Sequence, residues 1–73
     1  MKKYAVKIYG QPTSISLEPE FWRALHDIAA HEKRTLTAVL NHIDKTRTGS
    51  LSGAIRLYVL AFLQAHQKDN SAE

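Results

Sequence analysis

Hydrophobic and polar residues alternate twice near the start of the chain. From Lys2 to Tyr9, residues Tyr4, Val6 and Ile8 fall on one side and Lys3, Ala5 and Lys7 on the other, the two-residue period of a strand. Gly10, Gln11 and Pro12 break the pattern. A second alternation follows over Thr13–Leu17, with Ile15 and Leu17 inward and Ser14 and Ser16 outward. A single short strand cannot satisfy its own N–H and C=O groups, and even a two-stranded ribbon is marginal in water without helices packed on one face. Two arrangements meet that need: Lys2–Ile8 folds back through Gly10, or a second chain supplies its own copy of the strand. Residues 2–17 are therefore the strand region. Pro12, which has no N–H to give, is restricted to a strand start or an edge.

After Leu17 the period changes from two to three and four. Pro19 has its φ preset for a first helical turn, and Glu18 and Glu20 complement the positive end of the dipole, so a helix is expected over about 18–32. Its stripe of Phe21, Trp22, Leu25, Ile28 and Ala29 reads as core. Lys33, Arg34 and Thr35 form a short basic connection, with Thr35 as N-cap of a second helix over about 36–45, striped by Leu36, Val39, Leu40 and Ile43. Thr46–Ser50 has turn composition, and Ser50 caps a third helix over about 51–67. That helix is apolar on most sides, with Arg56 and Gln64 its main polar members between Ser52 and Ala65. Two short helices of one chain offer too little surface to cover it, so a second subunit is expected to complete the burial.

These elements make one small domain over residues 1–68, mainly α with one short β-ribbon, followed by a polar tail over 69–73. At 73 residues such a domain buries only about 60% of its unfolded surface, and oligomerisation is a common stabiliser. The chain has no cysteine, which excludes disulfide and thiolate–metal frameworks. Lys7 and the Gly10–Pro12 break interrupt any signal-like apolar stretch, and Leu57–Leu63 is far shorter than the ~20 residues of a membrane span. A soluble, cytoplasmic protein with no membrane partner is expected. Ten Lys and Arg against seven Asp and Glu give a net charge of +3, compatible with a nucleic-acid partner.

Catalytic chemistry finds little support. His26, His31, His42 and His66 lack the spacing of a metal-binding pair on one helical turn and read as single solvated histidines. Glu18, Glu20, Asp27, Glu32 and Asp44 are scattered over polar faces, and Gly10, Gly49 and Gly53 stand alone, with no phosphate loop or nucleophile elbow. No enzyme, cofactor or metal is expected. Arg56, set in an apolar helix, is expected to pair with a carboxylate across the core or a dimer seam.

The order of a short alternating strand, a helix, a hydroxyl-capped turn and a second helix over Thr13–Leu40 resembles the ribbon-helix-helix fold of the Arc and MetJ class of repressors. The strings T-S-I-S-L-E-P-E-F-W, L-T-A-V-L-N-H-I-D and L-S-G-A-I-R-L-Y-V-L resemble small single-domain bacterial members with an added helix, over roughly residues 2–63. The resemblance implies an intertwined homodimer, open to further pairing of dimers on double-stranded DNA, with an antiparallel ribbon in the major groove. The implied base-reading positions are Pro12, Ser14 and Ser16. None carries the Arg, Lys, Asn or Gln that makes bidentate base contacts, and serine discriminates poorly. The implied phosphate site is the start of the second helix: Thr35, the amides of Leu36 and Thr37, and the Thr37 hydroxyl, with Lys33 and Arg34 adding charge. Lys3 and Lys7 are candidates for further phosphate contacts. A transcriptional regulator is the first reading; a dimeric interaction module or antitoxin-like partner that keeps the fold without strong DNA recognition is the alternative.

Overall fold

The computed structural model describes residues 1–67, and the expected tail at 69–73 lies outside them. Strands β1 (Lys2–Ile8) and β2 (Gln11–Leu17) are followed by helices α1 (Pro19–His31), α2 (Leu36–Thr46) and α3 (Leu51–Gln67). Of the two possible strand pairings, the fold-back within the chain is formed: β1 and β2 make an antiparallel hairpin with Ile8 opposite Gln11 and Lys2 opposite Leu17. Tyr9 (φ 50°) and Gly10 (φ 79°) make the two-residue loop. Positive φ at both central residues gives the turn twist that matches a two-stranded ribbon. Glycine takes that conformation freely, whereas Tyr9 needs support, and Asn41 of α2 supplies it. The Tyr9 amide donates to Asn41 Oδ1 at 2.8 Å, and the Tyr9 hydroxyl donates to the Asn41 carbonyl at 3.2 Å.

Helix α1 is one residue shorter at each end than the pattern suggests, because Glu18 and Glu32 are its caps. It ends in a Schellman motif: Lys33 N–H donates to Ala30 O at 3.1 Å and Arg34 N–H to Ala29 O at 2.9 Å, with Lys33 itself left-handed at φ 56°. Helix α2 opens on Thr35, whose Oγ1 accepts from Ala38 N at 3.0 Å. It runs one residue further than expected, to Thr46, whose hydroxyl donates to the His42 carbonyl at 3.1 Å. Ser50 Oγ accepts from Gly53 N at 3.1 Å, the expected cap of α3.

The core lies where the inner ribbon face meets the three helices: Ile8, Ile15, Leu17, Leu25, Ile28, Ala29, Val39, Leu40, Ile43, Ile55 and Val59 are buried. Each fully buried side chain of this size contributes about 1.5–3 kcal/mol. Tyr4 stacks on Trp22 with ring centroids 4.2 Å apart, closing the open end of the hairpin against α1. Among the described residues no buried side-chain polar atom lacks a partner. Helix α3 is covered on one side only: Ile55 and Val59 are buried, while Leu57, Leu60 and Leu63 are 69%, 49% and 44% exposed.

Candidate nucleic-acid interface

The hairpin register decides which side chains share the outer face of the ribbon. Partners across an antiparallel pair point the same way, and the pairs Lys3–Ser16, Ala5–Ser14 and Lys7–Pro12 alternate with the inward pairs Tyr4–Ile15 and Val6–Thr13. The three expected base-reading positions, Pro12, Ser14 and Ser16, therefore stand on one face with both candidate lysines of β1. Lys3, Lys7, Pro12 and Ser14 are exposed there and Ser16 is half-buried. Gln11 and Thr13 lie on the inner side, as parity requires. Among the described residues no carboxylate lies within ion-pair distance of Lys3 or Lys7.

The second candidate locus is the first turn of α2. Thr35 and Thr37 are exposed beside exposed Lys33 and Arg34, and Leu36 is half-buried. The Thr35 hydroxyl is committed to the cap, whereas no hydrogen bond engages the Thr37 hydroxyl among the described residues. Arg34 is also partly committed: Nη1 meets Glu32 Oε1 at 3.2 Å and Nη2 donates to Ala38 O at 3.3 Å. The same Glu32 oxygen accepts from Tyr58 Oη at 3.2 Å. Burial, and then the Glu32 charge, push the Tyr58 hydroxyl above its ordinary pKa and keep it a donor. Lys33 is the cation of this turn with no ion pair among the described residues.

One groove joins the two loci. It is lined by Ala5, Lys7 and Pro12 of the ribbon, Trp22 of α1, and Leu36 and Thr37 of α2. The sequence separates Lys7 from Thr37 by 30 positions, and packing of β1 on α2 makes them walls of one depression. On the other side of the ribbon a second groove runs along β2, lined by Ser14, Ser16, Asp44, Arg47, Ser50 and Ser52.

Arg56 pairs as expected, and its partner is in the same chain: Nε meets Glu18 Oε1 at 2.9 Å, fastening α3 to the strand-to-helix junction. Hydrogen bonding from Arg56 holds the Glu18 carboxyl below the ordinary carboxylate range. All four histidines are exposed, as expected, but two of them do not stand alone. His31 and His66 meet with ring centroids 5.0 Å apart, and Phe62 stacks on His66 at 4.1 Å. His26 stands edge-on to Trp22 at 4.7 Å, and His42 edge-on to Tyr58 at 6.2 Å. Trp22 and Phe62 lie one helical turn before His26 and His66 on the same helices, whereas the meetings of His31 with Phe62 and His66, and of His42 with Tyr58, are made by the tertiary fold. No group of three or more His, Cys, Asp or Glu among the described residues is placed to hold a metal, and no helix there is long and apolar enough to cross a membrane.

No curated protein and no solved structure gives a significant match to this chain. A family model does: residues 1–63 match the ribbon-helix-helix domain, the span that holds the hairpin, both short helices and most of α3. With that match over most of its length, and with a β-ribbon followed by helices in its structure, the chain belongs to the ribbon-helix-helix family.

Proposed function

We propose that this protein is a homodimeric, cytoplasmic DNA-binding regulator of transcription that sets its ribbon in the major groove. Ribbon-helix-helix domains are in general DNA-binding transcription regulators or antitoxins rather than enzymes, and typically dimerise. The observation that carries the reading to these residues is the register that puts Lys3 and Lys7 on one face with Pro12, Ser14 and Ser16. A ribbon fits the major groove by width, and short hydroxyl side chains allow close approach to base edges. The lysines then provide the charge that the serines lack. Thr37 and the amides of the first α2 turn, with Lys33, Arg34, Thr35 and Leu36 around them, provide a phosphate contact at a helix N-terminus. Recognition is sequence-specific or semi-specific, since serine accepts more than one base pattern.

The test is a fluorescence anisotropy titration of labelled duplexes at several salt concentrations. Binding should weaken steeply with salt, and each phosphate contact removed should flatten the log–log slope by about 0.9. Lys3→Ala and Lys7→Ala should flatten it without changing preference among sequences; Ser14→Ala and Ser16→Ala should change the preference. Absence of binding at tens of micromolar in low salt would overturn the reading.

A second reading, a protein-interaction module or antitoxin-like partner, is favoured by the exposed Leu57, Leu60 and Leu63 on α3. Stoichiometric co-purification of a small unrelated protein, with no duplex binding by the purified dimer, is its signature.

A further inference from the structure

Serine is an undemanding reader of DNA, and that shifts the work of recognition to whatever holds it. A guanidinium or carboxamide brings its own two-point geometry to a base, whereas a hydroxyl both donates and accepts and rotates to suit. Discrimination by Ser14 or Ser16 then comes from where the backbone sets the hydroxyl against the base edge. The supports of the ribbon backbone are therefore part of its recognition chemistry, and they are concentrated at its two ends.

At the loop end the support is Asn41 of α2, which accepts from the Tyr9 amide. At the open end it is α3. Ser52 Oγ donates to the Ser16 carbonyl at 2.7 Å, a bond between residues 36 positions apart. One turn further along α3, Arg56 grips the Glu18 carboxylate with two prongs, Nε to Oε1 at 2.9 Å and Nη2 to Oε2 at 3.3 Å. The two spacings match. Four residues of α-helix advance about 6 Å and two residues of extended chain about 6.6–6.8 Å, so α3 lies along the end of β2 like a splint. Leu17, between Ser16 and Glu18, is fully buried, and so is Ile55, between Ser52 and Arg56. Ser14, at the middle of the strand, is exposed and lies between the two supports.

We infer that Ser52 and Arg56 are positioning residues for base reading: α3 fixes the Ser16 hydroxyl against its base and so sets the preference at that step without touching DNA. The inference rests on the ribbon-reading function proposed above and adds a specificity-determining role for the third helix. Loss of the Ser52 hydroxyl leaves the Ser16 side chain, the lysines of β1 and the first turn of α2 in place. It should therefore cost discrimination at one base pair and little of the charge-driven affinity. Stability alone does not test this, since Ser52→Ala loses a hydrogen bond whether or not DNA is read; base preference does.

The full chain is titrated by fluorescence anisotropy against a duplex selected from a random library and against its single-base-pair variants. Ser14→Ala and Ser16→Ala mark which base pair each serine reads. Ser52→Ala should reduce discrimination at the Ser16 base pair by about three- to tenfold, the worth of one hydrogen bond, and leave the Ser14 base pair and the salt slope unchanged. Ser52→Thr keeps the hydroxyl and should restore the parent preference. In the Ser16→Ala background, Ser52→Ala should have no further effect on preference, because the two residues act as one unit. Arg56→Lys keeps the charge, gives up the two-pronged grip and should act at the same base pair, so the test stands even if Ser52→Ala unfolds the chain. Weakening of all duplexes alike by Ser52→Ala and Arg56→Lys, or an undiminished effect of Ser52→Ala in the Ser16→Ala background, overturns the positioning role and leaves the ribbon reading standing. No duplex binding by the parent, or no change of preference with Ser16→Ala, overturns both.

Discussion

Lys33 holds a left-handed backbone at φ 56° at the position after the α1 cap, where glycine is the usual residue. An L-residue in that conformation costs about 1 kcal/mol or more relative to glycine, and the extra chain entropy of glycine returns part of it. Lys33→Gly is therefore expected to raise stability by about 0.5–1 kcal/mol, a rise of roughly 2–8 °C in Tm for a domain this small, readable in a thermal melt. If Lys33 faces a phosphate, the same variant binds duplexes more weakly, so stability and affinity move in opposite directions. Tyr9, at φ 50°, is a different case: its amide and hydroxyl both bond Asn41, and Tyr9→Gly would lose the second of those bonds. Glu18 gives a pH signature. Its carboxyl is held below the ordinary carboxylate range, first by the hydrogen bond from Arg56. A depressed folded pKa means that the unfolded chain takes up its proton first as acid is added. The stabilisation is present above the ordinary carboxylate pKa and disappears as pH falls through the folded value. Urea midpoints should show Glu18→Gln below the parent at pH 7 and the gap narrowing as pH falls below the ordinary carboxylate range; a gap that does not narrow would mean that the Glu18–Arg56 contact matters through packing alone.

Among the elements, the start of α2 is where folding and recognition compete for the same groups. Thr35 Oγ1 caps Ala38 N at 3.0 Å, and loss of such a cap costs about 1 kcal/mol whether or not DNA is bound. Thr35→Ala alone thus cannot separate the two roles. Thr35→Asp can: aspartate caps as well as threonine or better and complements the helix dipole, so urea stability should hold or rise slightly. A phosphate at the same turn would be repelled, and duplex affinity should drop at least tenfold; unchanged affinity would remove α2 from the interface. The elements themselves were legible because each is marked locally: Pro19 and Glu20 at one start, Thr35 and Ser50 at the others, and unbroken alternation in both strands. The parity of Ser14 and Ser16 was legible for the same reason. What the pattern left open was the partner of β1, since a lysine-bearing strand pairs equally well on paper with its own chain or another. The φ values of Tyr9 and Gly10 settle it, and only Asn41, 32 positions away, makes a tyrosine acceptable there. Likewise the helix-to-strand bond from Ser52 to Ser16, and the meeting of His31 with His66, join residues that no local periodicity relates.

For the whole molecule, the exposed Leu57, Leu60 and Leu63 set a single chain against its assembly. Helix α3 buries Ile55 and Val59 inside the chain and leaves the leucine face on the surface, so one copy carries apolar area that a second copy would remove from water. If folding and dimerisation are coupled, stability depends on protein concentration by mass action, about 1.4 kcal/mol for each tenfold. For an assembly of roughly 150 residues that is about 3–6 °C in Tm per tenfold. Leu57→Glu should remove this dependence while leaving the monomer folded, because Leu57 is 69% exposed in the chain and supports no core contact that the fold requires. Far-UV circular dichroism would then stay helical, sedimentation would move toward the monomer, and duplex affinity would fall with it, since a lone hairpin presents half the lysines. A Tm independent of concentration in the parent protein, with Leu57→Glu neutral, would mean that the leucine face serves a different partner, and would favour the interaction-module reading over the regulator.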